Sequence, residues 1–162
     1  MSAPILDIAA LAPLLGPRAQ LAGLDVGDRT IGVALSDATR SIASPIGTVR
    51  RKKFMRDAEA VLAMTAGREI GGWIIGLPVN MTGEEGPRAQ SARAFARNFA
   101  RLTDAPVAMW DERLSTVAAE RALLEADASR KRRAEVIDHV AAAYILQGAL
   151  DRLAALSRED RR

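Results

Sequence analysis

A carboxylate inside a strand constrains this chain more than any other feature. The stretch Gly23-Leu24-Asp25-Val26-Gly27-Asp28-Arg29-Thr30-Ile31-Gly32-Val33-Ala34-Leu35-Ser36-Asp37 reads as two short strands joined by a tight turn at Gly27-Asp28. Successive strand side chains point to opposite faces. Leu24 and Val26 therefore share one face, and Asp25 shares the other with Gly23 and Gly27. In the second strand Ile31, Val33 and Leu35 form the bulky face, and Gly32, Ala34 and Ser36 the small one. An acid in the middle of a strand is costly unless it is paired or binds a metal. The plain alternative is an edge-strand aspartate partnered by solvent in a turn-rich hairpin.

Composition narrows the chemistry open to Asp25. The 162 residues suffice for one domain with a core. Cysteine is absent, which excludes disulfides, thiolate zinc sites and cysteine nucleophiles, and suits a reducing, cytoplasmic setting. His139 is the sole histidine, so a metal centre would rely on oxygen ligands and favour magnesium or manganese over zinc. The net charge is +3, with basic clusters at Arg50-Arg51-Lys52-Lys53, at Arg93, Arg97 and Arg101, and at Arg130-Lys131-Arg132-Arg133. Such clusters fit a polyanionic partner, although each alone reads more readily as a solvated surface. No apolar run approaches the roughly twenty residues of a membrane span. Residues 1–20 are apolar, are broken by Pro13 and Pro17 and lack a basic leader; they read as an extension with a short helix over 5–15, not as a signal peptide.

Along the chain, 43–49 reads as a third strand, at an edge because of Pro45. Helical spacing predicts a helix over 54–66, ended by Gly67. An apolar run at 71–78 reads as a buried strand, followed by a polar loop over 79–86. Pro87 fits the first turn of a helix with Phe95, Phe99 and Leu102 inside and Arg93, Arg97 and Arg101 outside. A strand over 106–114 and a helix over 116–126 capped by Ser115 follow. A polar connection over 127–133 and a last helix over 134–156 complete the chain. The pattern predicts a mixed α/β sheet with right-handed crossovers. The expected division is an extension at 1–20, one domain at 21–156 and a charged tail at 157–162.

Sites in open α/β sheets gather at the carboxyl ends of strands. Asp111 and Glu112 lie at such an end. Alternation lets only one of them share a face with Asp25: Glu112 travels with Ala108 and Trp110, Asp111 with Val107 and Met109. Both assignments stay open on this evidence. Asp138 heads the apolar stripe Ala141, Ala142, Ile145, although the helix dipole alone would also favour an acid there. His139 points about 100° away from it and is given no catalytic role. Trp73 and Trp110 read as core residues in preference to base-stacking ones. No phosphate loop, dinucleotide fingerprint or His-Glu-x-x-His motif occurs. Carboxylates converging without a lysine call for divalent cations, and two metals held by shared carboxylates are a known means of cutting phosphodiesters.

Four segments, in order, resemble the YqgF/RuvX family of Holliday junction resolvase-like or pre-16S rRNA nucleases. They are the opening hairpin from Gly23 to Asp37, Gly76-Leu77-Pro78-Val79-Asn80-Met81-Thr82-Gly83, Asp111-Glu112-Arg113-Leu114-Ser115-Thr116, and Ile137-Asp138-His139-Val140-Ala141-Ala142-Ala143-Tyr144-Ile145-Leu146-Gln147. The resemblance spans Gly23 to Leu150. It implies a ribonuclease H-like α/β fold, a five-stranded mixed sheet of order 3-2-1-4-5 flanked by helices. It implies Asp25, Glu112 and Asp138 as the catalytic, metal-binding acids, and so selects Glu112 over Asp111. Two departures stand out. Related resolvases carry an acid at the end of the fourth strand, where this chain has Pro78 and Asn80, and His139 occupies a position where relatives often have lysine.

The expected activity is a magnesium- or manganese-dependent endonuclease processing the 5′ end of pre-16S rRNA in the cytoplasm. Arg130, Lys131, Arg132 and Arg133 would hold phosphates. The partners are then structured RNA or branched DNA, with no membrane, and a homodimer is compatible with either. Three alternatives remain. One is a Holliday junction resolvase-like DNA nuclease. The second is a non-catalytic nucleic-acid-binding or ribosome-assembly module. The weakest is an actin-like ATP-binding domain, since such proteins place two domains around a cleft.

Overall fold

The computed structural model describes residues 3–114 and 130–161, and for 130–139 the backbone alone. The elements are β1 (Ile5–Leu6), α1 (Ile8–Leu11) running into a 3-10 turn (Ala12–Leu14), β2 (Gln20–Val26), β3 (Thr30–Ser36), β4 (Ala43–Arg50), α2 (Phe54–Met64), β5 (Ile70–Leu77), α3 (Pro87–Phe99), β6 (Val107–Asp111) with a 3-10 turn at Glu112–Leu114, and a long final helix, α4 (Arg130–Asp160). The expected helix over 116–126 and its Ser115 cap lie outside the described residues.

The sheet order is β1-β6-β5-β2-β3-β4. Only β3 runs against its neighbours; β2 pairs in parallel with β5, β5 with β6 and β6 with β1. Five of these strands reproduce the order 3-2-1-4-5 when the hairpin strands are counted first. The sixth corrects the expected number. Ile5 and Leu6 pair with Val107 and Ala108, and the Val107 N–H donates to the Pro4 carbonyl at 3.0 Å. The expected helix over 5–15 therefore starts later: Asp7 caps it, its side chain accepting from the Ala10 N–H at 2.8 Å.

Alternation sorts the sheet into two apolar layers. Leu24, Val26, Ile31, Val33, Trp73 and Ile75 pack with Val61 of α2 and Phe95 and Phe99 of α3. On the other face Leu21, Ala34, Ile74, Ala108 and Trp110 pack with Leu11 of α1 and with Ala142, Ile145, Leu146 and Leu150 of α4. Leu102 corrects the expected core stripe: it is 38% exposed because α3 ends at Phe99 and the chain turns away. Both tryptophans are buried, and the Trp73 indole N–H donates to Thr103 Oγ1 at 3.0 Å, so neither offers a ring to a base. The last helix begins at Arg130, which makes the backbone of 130–133 helical instead of a connection. Pro45 does lie in an edge strand, β4.

The long helix sits close on the sheet. A Cβ on Gly23 would fall 2.8 Å from Leu146 Cβ and 3.0 Å from the Ala142 carbonyl oxygen. On the helix itself, a Cβ on Gly148 would fall 3.0 Å from the Trp110 indole. Small residues at these contacts let α4 pass directly over β2 and β6.

Candidate active site

Asp25 lies in the middle of a row that crosses the sheet. It pairs with Gly32 of β3, which pairs with Thr48 of β4. On its other side Leu24 pairs with Ile75, so one step further Asp25 stands beside Gly76, and Gly76 pairs with Trp110. Both strands flanking the acid thus present glycine next to it. The face is set by Gly23, which abuts Leu146: Asp25, two residues on, points to the α4 side of the sheet.

Gly76 shows what shares that space. A Cβ there would lie 2.5 Å from Ile145 Cδ1 and 3.4 Å from Glu112 Oε1. The Glu112 carboxylate therefore hangs over Gly76, on the same face as Asp25 and beside its strand. Asp25 is 4% exposed and Glu112 8%. Two buried carboxylates at the carboxyl ends of β2 and β6 converge on a patch floored by glycine.

Asp111 turns the other way. Its Oδ1 accepts from the Arg113 N–H at 2.9 Å and its Oδ2 from Arg113 Nη2 at 2.7 Å. The Arg113 guanidinium holds the Asp111 carboxyl below its ordinary range, overcoming the opposing effect of partial burial. Asp111 thereby fixes the turn that carries Glu112. The loop after β5 is also held in place. The Asn80 N–H donates to the Glu84 carbonyl at 2.9 Å, the Gly83 N–H to the Asn80 carbonyl at 2.8 Å, and Gly83 takes φ +90°. Glu85 pairs with Arg93 at 2.5 Å, which lowers its carboxyl pKa.

The structure brings together two of the three expected acids. Asp138 belongs to α4, one turn before Ala142, whose carbonyl lies over Gly23. The side chains of Asp138, His139, Arg130, Lys131, Arg132 and Arg133 are outside the described residues. Among the described residues no cluster of three or more acidic, histidine or cysteine side chains forms a metal site. The sequence marks Gly32 as part of the small face beside Asp25 but gives Gly76 no role at the site; glycine inside an apolar strand is its signal. An open groove of about 990 Å³ lies elsewhere, between the α1 region, Arg40 and the end of α4, and holds neither acid.

A family model described as "RuvX: Holliday junction resolvase" matches residues 19–152. A relative from Ruegeria pomeroyi, named as a candidate pre-16S rRNA nuclease, is 68% identical over 142 residues, covering 88% of this chain and 92% of its own. A relative of the same name from Rhodobacter capsulatus is 63% identical over 152 residues, covering 94% of each. Among solved structures, Thermus thermophilus RuvC in complex with a Holliday junction substrate aligns with a TM-score of 0.53 at 14% identity, covering 86% of this chain and 96% of that one. That likeness shows the fold, a ribonuclease H-like sheet flanked by helices.

Proposed function

The chain belongs to the RuvX family, and from that premise we propose that it is a metal-dependent endonuclease that processes the 5′ end of pre-16S rRNA. The observation that carries this reading is the convergence of Asp25 and Glu112 over Gly76. The donor set fits a hard cation: both groups are carboxylates, and both are buried on the α4 side of the sheet beside Gly76. Asp25 and Glu112 would hold magnesium or manganese together with Asp138 from α4. A divalent ion held there supplies charge stabilisation at the phosphodiester oxygens and an activated water at neutral pH. The protein's own part is positioning. Strand pairing on both sides fixes Asp25, and the Asp111–Arg113 pair fixes the turn that aims Glu112. Asn80 stands near the end of β5 and brings no charge, so the acids of this centre come from β2, the turn after β6, and α4. Arg130, Lys131, Arg132 and Arg133 would bind substrate phosphates.

The test is a cleavage assay with magnesium or manganese on two substrates, the 5′ leader of pre-16S rRNA and a four-way DNA junction. Selective cutting of the RNA is the expected result. Faster cutting of the junction would transfer the same site to the resolvase reading. If neither is cut and acid-to-amide variants bind RNA unchanged, the protein is an assembly module; tight calorimetric ATP binding would make it an ATP-binding domain.

A further inference from the structure

One corner of the molecule gathers exposed cations that the carboxylate pair does not use. Arg50 ends β4, the chain turns through Arg51, Lys52 and Lys53 into α2, and Arg56 stands in the first turn of that helix. Arg29, in the turn between β2 and β3, joins them because its carbonyl accepts from the Arg51 N–H at 2.8 Å. Arg29, Arg50, Lys52, Lys53 and Arg56 are all exposed, and Asp28 is the one exposed acid among residues 27–30 and 50–56.

Arg51 differs from the rest. It is half-buried; its Nη1 donates to the Gly27 carbonyl at 2.9 Å, and its Nε lies 3.7 Å from Asp57 Oδ2. Asp57 is 2% exposed and also accepts from the Lys52 N–H at 2.9 Å. A buried acid and an arginine strut thus brace the turn and tie it to the hairpin that carries Asp25. Like charges this crowded repel, so a brace of this kind keeps a cluster that would otherwise spread.

The corner also stands at the right edge. Because β3 is antiparallel to both β2 and β4, those two strands run the same way, and Arg50 emerges at the end of the sheet where Asp25 and Glu112 lie. Thr48 is in the Asp25 row across Gly32, and Arg50, two residues on, faces the same side. The lateral offset between β2 and β4 is two strand spacings, about 10 Å. The arginine row of α3 offers no such platform: Arg93 is spent on Glu85.

We propose that Arg29, Arg50, Lys52, Lys53 and Arg56 form a platform for a nucleic-acid backbone, gripping consecutive phosphates of the strand that runs past Asp25. The proposal rests on the nuclease reading for the path of that strand, and on the geometry alone for the binding. The chemistry it recognises is a run of phosphodiesters.

The test measures binding without cleavage, with calcium in place of magnesium and with wild-type and Asp25→Asn full-length chains. The probes are a fluorescein-labelled single-stranded RNA and a labelled four-way DNA junction, which separate the two sources of backbone. The triple variant Arg50→Ala/Lys52→Ala/Lys53→Ala is expected to weaken binding about tenfold at physiological salt and to flatten the slope of log affinity against log salt by about 2 for the single strand. The control Arg97→Ala/Arg101→Ala is expected to change affinity by less than about twofold. Unchanged affinity and slope in the triple variant, or an equal loss in the control, would overturn the platform. Displacement by poly-glutamate as readily as by RNA would also overturn it, in favour of an acidic protein partner. If the nuclease reading fails, wild type cuts neither substrate while the platform variant still loses affinity; if the platform fails, cleavage persists and binding does not move.

Discussion

At Gly76 a hydrogen stands where any other residue would put a β-carbon 2.5 Å from Ile145 Cδ1 and 3.4 Å from Glu112 Oε1. Gly76→Ala should therefore push Ile145 aside and crowd Glu112. We expect a stability loss of about 1–3 kcal/mol in denaturant titration, together with a fall in cleavage rate at saturating substrate that restored stability does not recover. The choice between Asp111 and Glu112 shows why part of the site was hidden in the sequence. Alternation alone says that they face opposite ways, but not which way is inward. The Gly76–Trp110 pairing decides it, by putting Trp110 and so Glu112 on the Asp25 face; that is information between strands, carried by no single stretch. Asp25 was legible because its glycine neighbours and its alternation are local. Another residue gives a pH signature. The Ile42 N–H, the Thr39 hydroxyl and the Ser41 N–H hold the Asp37 carboxyl at about 2, below its ordinary 3.8. A depressed folded-state pKa adds stability above the unfolded value and loses it as pH falls through the folded one. The melting-temperature gap between wild type and Asp37→Asn should close between about pH 4 and pH 2.

The elements divide by how much of their cause is local. The hairpin, α2, β5 and α3 carry period-2 or period-3.6 apolar patterns and cap or turn signals, and they appear close to where the sequence put them. β1 has two residues and exists only because β6 offers an edge, so no pattern announces it. Arg130-Lys131-Arg132-Arg133 has no apolar stripe to announce a helix and looks like a connection in the sequence, yet the backbone is helical there. The seat of α4 is the element on which the site depends. Gly23→Ala would meet Leu146 Cβ and a backbone carbonyl, neither of which is a flexible side-chain end. The helix must then lift, at a cost of about 1–3 kcal/mol, and it carries Asp138 with it. The variant should lose more activity than a stability-matched variant distant from the site, such as one at Leu11. Leu11 is fully buried on the same face, and Leu11→Ala should cost about 2–5 kcal/mol without changing the cleavage rate of the folded fraction.

Among the described residues the sheet carries two separate apolar layers, and neither layer includes an acid of the proposed metal site. Folding should therefore be independent of the cation proposed for the site. Chelation is expected to abolish cleavage while leaving the circular dichroism spectrum intact, and magnesium or manganese should restore the rate. Charge is distributed to match: two buried acids at one edge of the sheet, and braced cations at the adjoining corner. The most direct test of the central claim is the single-turnover cleavage rate of pre-16S leader RNA by Asp25→Asn, compared with wild type at matched fold and saturating magnesium. A centre built on Asp25 predicts a loss of at least about a thousandfold, roughly 4 kcal/mol of transition-state stabilisation. Cleavage by Asp25→Asn at the wild-type rate would contradict it.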